Sequence, residues 1–137
     1  MFLKNKILHI TLLLFLPLMN CIGQQDTISM SSMDERAELF INLDKSKTKL
    51  ENVFSEIIYF LNSIGNDESL NYLEYIANSQ KYWERYCEFE CKFIEFETRN
   101  GAQGGLPFYN QCKIEMNNER SQRLSEILAN LKREFED

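Results

Sequence analysis

The 137-residue chain has a single histidine, His9, which lies ahead of everything that reads as a folded domain. A domain without imidazole has no Ser–His or Cys–His catalytic pair, no ordinary imidazole general base and few routes to a zinc site. Long apolar runs are scarce as well. The run Ile7–Leu18 has twelve residues and is interrupted by His9, Thr11 and Pro17, whereas a membrane span needs roughly 20. No other segment is long and apolar enough to span a bilayer. Strand-like alternation nowhere rises above the helical signal, and no internal repeat is evident. Basic residues are the minority charge: 15 Lys and Arg face 21 Asp and Glu, for a net charge of −6. Such a balance disfavours nucleic acid and anionic membrane surfaces as partners. It is compatible with a cationic protein partner, although solubility alone is a sufficient reason for it.

What is present begins with a leader. Lys4 and Lys6 followed by the apolar run have the length and flanks of a secretory signal peptide. Cys21-Ile22-Gly23 fits a small-x-small exit with cleavage after Gly23, giving a signal peptide over 1–23. Leu18-Met19-Asn20-Cys21 offers the other exit, a lipobox with Cys21 as lipid-modified N-terminus, but Asn20 is a poor fit just before the cysteine. The expected product is an exported soluble domain in the periplasm or beyond, with no membrane span. Loss of Lys4 and Lys6 takes its net charge from −6 to −8.

Residues 24–33 are polar and read as a flexible lead. A helical domain is expected over 34–137, with Ser32 and Glu35 placed for a capping box. Met33, Ala37, Phe40, Leu43, Leu50, Val53, Phe54, Ile57, Ile58, Leu61 and Ile64 recur at three- and four-residue steps, a helical stripe. The polar segment Asp44–Lys49 interrupts it and predicts a break or bend, hence two shorter helices. Gly65 is a stop, and Asn66 or Asp67 the next N-cap. A second pattern runs from Glu68 to about Arg99. Leu70, Leu73, Ala77, Trp83, Cys87, Cys91 and Ile94 form one stripe, broadened by Tyr72, Tyr75, Tyr82, Tyr86, Phe89, Phe93 and Phe96. So wide a stripe predicts a central helix packed between two others, with its aromatics in the core. Asn100–Gly105 is a loop with three glycines. Leu106-Pro107 opens a third helix, with Phe108, Cys112, Met116, Leu124, Ile127, Leu128, Leu131 and Phe135 on its stripe. The fold class expected is all-α, a bundle of about three main helices.

Export permits disulfides. A Cys91–Cys112 bond would tie the second helix to the third across about 20 residues, worth roughly 3 kcal/mol of chain entropy. Cys87 is then left free and buried. A Cys87–Cys91 bond, one turn apart on the same face, is the strained alternative. Two thiols at that spacing can also begin a metal site, but no histidine or fourth domain cysteine completes it. No cofactor is expected.

Trp83 to Leu124 carries the most specific pattern in the chain. It reads W-E-R-Y-C-E-F-E-C, then a Gly-rich interval ending G-G-L-P, then C-x7-R-x3-L. This resembles the lysozyme inhibitor LprI-type N-terminal domain, a family of small exported bacterial proteins. Its pattern is roughly W-x-x-Y-R-D-x-x-C, a Gly-Gly-Ser stretch and C-x7-R-x3-L. Trp83, Tyr86, Cys91, Gly104, Gly105, Cys112, Arg120 and Leu124 fall in register, and Leu50 and Phe54 match an upstream segment more loosely. The sequence departs where Cys87-Glu88 replaces Arg-Asp, where Leu106 replaces serine, and in lacking a cysteine near the mature N-terminus. Trp83 is expected at the helix crossing in the core, with a partner anchor as the alternative. Arg120, two turns past Cys112, is expected at the helix seam paired with Glu84 or Glu88, or else pointing outward as a binding arginine.

Three function classes remain in view. The resemblance implies an exported inhibitor of a lysozyme-like, cationic muramidase, with the 100–106 loop preorganised to occlude a cleft. A structural or protein-interaction domain of the envelope is the second. An enzyme using Glu84 and Glu88 as acid and base is the third, and it is set aside because such carboxylates are ordinarily a solvated helix face.

Overall fold

A computed structural model describes residues 32–136, with Ser32 described by its backbone alone. The expected signal peptide, the alternative lipobox at Cys21, nearly all of the expected lead and the expected Ser32 cap therefore lie outside the described residues. Three helices make the fold: α1 (Ser32–Ile64), α2 (Asp67–Thr98) and α3 (Leu106–Glu136), in the order up, down, up. α1 begins inside the stretch read as a lead. Among the described residues no strand occurs, and no helix is long and apolar enough to cross a membrane.

The two turns follow from local chemistry. Gly65 takes φ +65° after the last residue of α1, a conformation that penalises any Cβ. Asn66 then caps α2, its side chain accepting the Ser69 amide at 2.8 Å, and Ser69 Oγ donates back to the Asn66 carbonyl at 2.9 Å. α3 opens at Leu106 with Pro107 in its first turn, where the missing N–H breaks no helical bond.

α1 is one continuous helix of 33 residues, and the break expected over Asp44–Lys49 does not occur. Ser46 lies on the buried stripe between Leu43 and Leu50. Its hydroxyl donates to the Leu43 carbonyl at 2.8 Å and accepts from Asn117 Nδ2 of α3 at 3.1 Å. A polar residue can hold an inward position when both its hydrogen-bonding functions are met. The helix therefore runs through a segment whose composition alone suggests a stop.

The arrangement of layers also differs from expectation. α3, not α2, is the helix most fully embraced: the parallel α1–α3 pairing is the most extensive and the α2–α3 pairing next, while α1 and α2 touch least. Tyr75, Tyr82, Tyr86, Phe89, Phe93 and Phe96, expected in the core, are exposed. The buried face of α2 is narrow: Ser69, Ile76, Gln80, Cys87 and Cys91.

The interior is graded along its length. Toward the Gly65 turn it is apolar, with Leu50, Ile57, Leu61, Ile76, Leu124, Leu128 and Leu131 buried together. Phe135 closes that end, its ring centroid 6.5 Å from Phe60 and 5.9 Å from Tyr72, both edge-on. Toward the α2–α3 loop the buried positions are Ser46, Asn110, Cys87, Cys91, Cys112 and Asn117. Position 46 tests this arrangement. Ser46→Ala leaves the buried Asn117 amide short of an acceptor and is expected to cost about 1–2 kcal/mol in urea unfolding. A variant as stable as the parent would show that the pair carries no weight in keeping α1 whole.

Candidate functional site

The polar end of the bundle is where most of the sequence-predicted residues meet. Cys91 and Cys112 are bonded, with Cα atoms 5.6 Å apart, and both are buried. Cys87 is free and wholly buried, packed in the same cluster with Trp83, Ile94, Tyr109 and Met116 alongside. Burial pushes its thiol up from the ordinary value, against the opposing pull of Lys113. The position held by arginine in the family pattern is thus an interior one here, filled by a small apolar side chain.

Beside the disulfide, Glu88 joins α2 to α3 by charge. Its Oε2 accepts from Tyr109 Oη at 2.8 Å and from Lys113 Nζ at 3.4 Å, and its Oε1 lies 3.1 Å from Lys92 Nζ. The Tyr109 hydrogen bond, then the Lys92 contact, hold the Glu88 carboxyl below its usual range. Tyr109 is pushed up to about 12, first by burial and then by donating to Glu88. The sequence offers Glu88 as a possible register partner of Arg120 or as half of an acid–base pair with Glu84, and the structure makes it neither. The missed signal was Tyr109, one turn before Lys113 on the same face of α3.

The two glycines of the Gly-Gly pair do different work. Gly104 takes φ +73°, which only glycine adopts without strain. Gly105 is buried against α2: a Cβ there would lie 2.8 Å from Glu95 Cγ and closer still to the Glu95 carbonyl oxygen. The first glycine turns the chain, and the second lets α3 begin against the α2 backbone. Together with the disulfide they fix both feet of the loop, while residues 100–103 at its tip are exposed. Between this loop and the start of α1 lies a cleft of about 350 Å³, lined by Arg36, Phe40, Glu95, Gln103 and Pro107 among others. A second cleft, about 360 Å³, opens where the three helices meet, with Leu50, Phe54, Gln80, Trp83, Lys113 and Asn117 on its walls.

Arg120 sits on the α2–α3 seam, but its partners are neutral. Nε donates to Gln80 Oε1 at 3.1 Å and an Nη to Ser79 Oγ at 2.9 Å, and Cζ lies 5.9 Å from the Trp83 ring centroid. The expected pairing with Glu84 or Glu88 is not made. In an antiparallel pair, eight residues forward from Cys112 runs about eight back from Cys91, level with Trp83 and beyond Glu88. Glu84 is reached only at one remove, accepting from Gln80 Nε2 at 3.1 Å. Burial, then Arg123, lowers the Arg120 pKa, and the guanidinium stays charged throughout.

Trp83 is half-buried and packs against both the apolar cluster and the cysteine cluster. Leu124 is wholly buried in the apolar cluster. Tyr86 stands apart, 58% exposed on the outer face of α2. The structure therefore gathers Trp83, Cys91, Cys112 and Arg120 along one seam. It sets Gly104 and Gly105 at the seam's loop end and points Tyr86 away. Among the described residues no group of His, Cys, Asp or Glu is placed to hold a metal ion.

These features define a small helical domain, tied at one end by a disulfide beneath a glycine-set loop. Comparison with known proteins places it: the family model described as "Lysozyme inhibitor LprI" matches residues 21–124, and the chain belongs to that family. No curated protein matches it. No solved structure matches it either.

Two measurements follow from the seam. Glu88, with its pKa lowered, contributes stability that is present above the ordinary carboxylate range and lost as pH falls through its own lowered value. Tyr109 contributes stability that is present below about pH 10 and lost as pH rises through about 12. Urea stability should therefore be flat through neutral pH and fall on both flanks. Glu88→Gln should shrink the acid-side fall; an unchanged acid flank would remove Glu88 from the account. Arg120→Ala, which strips Gln80 and Ser79 of their donor, is expected to cost about 1–2 kcal/mol, read by thermal or urea unfolding. A loss of partner binding at full stability would instead make Arg120 a binding residue.

Proposed function

We propose that the protein is an exported binding module that inhibits a lysozyme-like muramidase, with the loop over residues 100–105 as the inserting element. Membership of the lysozyme inhibitor LprI family, over residues 21–124, is the observation that carries this reading. The loop suits it physically. A segment held at both feet by Cys91–Cys112 and by Gly105 against Glu95 loses little freedom on binding, so little affinity is spent on ordering it. The acidic net charge, −8 once Lys4 and Lys6 are removed with the leader, favours encounter with a cationic enzyme, more through the association rate than through final affinity. The protein acts by occupying a cleft rather than by chemistry. Glu84 and Glu88, the carboxylates best spaced to serve as acid and base, are engaged by Gln80 and by Tyr109, Lys92 and Lys113. Export delivers the module to where a muramidase acts.

The second reading, an envelope interaction domain without inhibitory action, draws on the exposed aromatic face of α2. One assay separates the two. Cell-wall lysis by a C-type lysozyme is followed with the purified protein titrated to micromolar excess. Dose-dependent inhibition is expected. It should be lost on reduction of Cys91–Cys112 and weakened several-fold by Gly105→Ala, which must shift the loop away from Glu95. Full lysis in the presence of folded protein at large excess would discard this lysozyme class as the target.

A further inference from the structure

α2 carries a second apolar stripe, on the side away from the bundle. Tyr75, Tyr82, Phe89 and Phe96 recur every seven residues, and Tyr86 and Phe93 fall between them at steps of four and three. At about 100° per residue the six lie within an arc of roughly 80°, nearly opposite Ile76, Gln80, Cys87 and Cys91. All six are exposed, from 56% for Phe93 to 74% for Tyr75, and among the described residues no other helix covers them. An average step of 3.5 residues is the spacing of a coiled-coil seam, with Tyr86 and Phe93 in one core row and Tyr75, Tyr82, Phe89 and Phe96 in the other.

The edges of the stripe carry opposite charge. Arg85, Lys92 and Arg99 line one side, and Glu90 and Glu97 the other. In a parallel pair each residue of the cationic edge meets the residue five positions on in the carboxylate edge of its partner. Arg85 then faces Glu90 of a second copy, and Lys92 faces Glu97. An antiparallel pair would set cation against cation and carboxylate against carboxylate. Among the described residues Arg85, Glu90 and Glu97 make no ion pair within the chain. Lys92 contacts Glu88, and Arg99 lies over the Phe96 ring with Cζ 3.5 Å from its centroid, so each can turn outward only by exchanging a surface contact. The six rings expose on the order of 700 Å² per copy, close to the roughly 800 Å² per partner of a standard stable interface.

We infer that two copies of this chain pair in parallel through the outer face of α2, with Arg85–Glu90 and Lys92–Glu97 contacts between copies setting register and direction. α1 and α3, on the far side of each α2, stay clear of the contact. A membrane surface is the weaker occupant, because the carboxylate edge and the acidic net charge oppose an anionic bilayer.

Sedimentation velocity on the purified protein across the micromolar range is the test. A concentration-dependent dimer is expected. Phe89→Ser should abolish it with helix content by circular dichroism unchanged, since Phe89 lies outside the fold's own core. Arg85→Glu or Glu90→Arg alone should weaken dimerisation about ten-fold, and the two together should restore it. A monomer at every concentration overturns the inference, and one that instead co-sediments with phosphatidylcholine vesicles assigns the face to lipid. A dimer indifferent to Phe89→Ser, or one that Arg85→Glu tightens, overturns the face or the parallel direction respectively.

Discussion

The Cys91–Cys112 bond is the constraint on which the loop end depends, because it is the covalent centre of the smaller of the two buried clusters. Burial of apolar surface is the main source of folding free energy, and here it is concentrated around Ile57, Leu61, Leu124 and Leu131 toward the Gly65 turn. At the opposite end the buried side chains of α1 and α3, Cys112 apart, are Ser46, Asn110 and Asn117. Their hydrogen bonds specify register but contribute little net stability. A covalent tie over about 20 residues adds roughly 3 kcal/mol in the chain-entropy account, a large part of the total for a domain of this size. The Glu88–Tyr109–Lys113 network and the Arg120 bonds then fix how α3 lies on α2 along the length that the disulfide pins.

The gradient of polarity separates stability from display. The apolar end needs no help and shows no loop of note. The polar end is held by directional contacts and a covalent bond, so its loop can be short, exposed and still well placed. Glycine at 104 and 105 serves this in two ways, through a left-handed φ and through close approach to Glu95. A single glycine would meet only one of these demands. Two adjacent glycines, rather than one, are therefore what this turn requires.

Much of this was legible in the residues. The three helical stripes, the Gly65-Asn66 stop and start, the pairing of Cys91 with Cys112 and the burial of Cys87 follow from periodicity, capping chemistry and position. The misreadings share one cause. Sequence pattern counts apolar residues but does not know which face will find a partner. Ser46 looked like a break because its partner, Asn117, is 71 positions away. The aromatics of α2 looked like core because six rings at helical spacing usually are; in this fold they lie opposite the buried face. Arg120 lies on the expected seam, but the groups that face it there are the neutral Gln80 and Ser79 rather than Glu84 or Glu88.

Cys87 gives the disulfide end a kinetic character of its own. It sits one helical turn from Cys91, sealed with the bond in a single apolar cluster. In the folded chain its raised thiol pKa leaves little thiolate, and thiol–disulfide exchange proceeds through thiolate. Before the helices dock that protection is absent, and Cys87 competes with Cys91 for Cys112 on nearly equal terms of chain length. The order of events therefore decides the yield: if packing precedes oxidation the correct pair is selected by burial, and if oxidation comes first some chains close the wrong ring and must be reshuffled. The residue that is inert in the finished molecule is thus a competitor for Cys112 while it is being made.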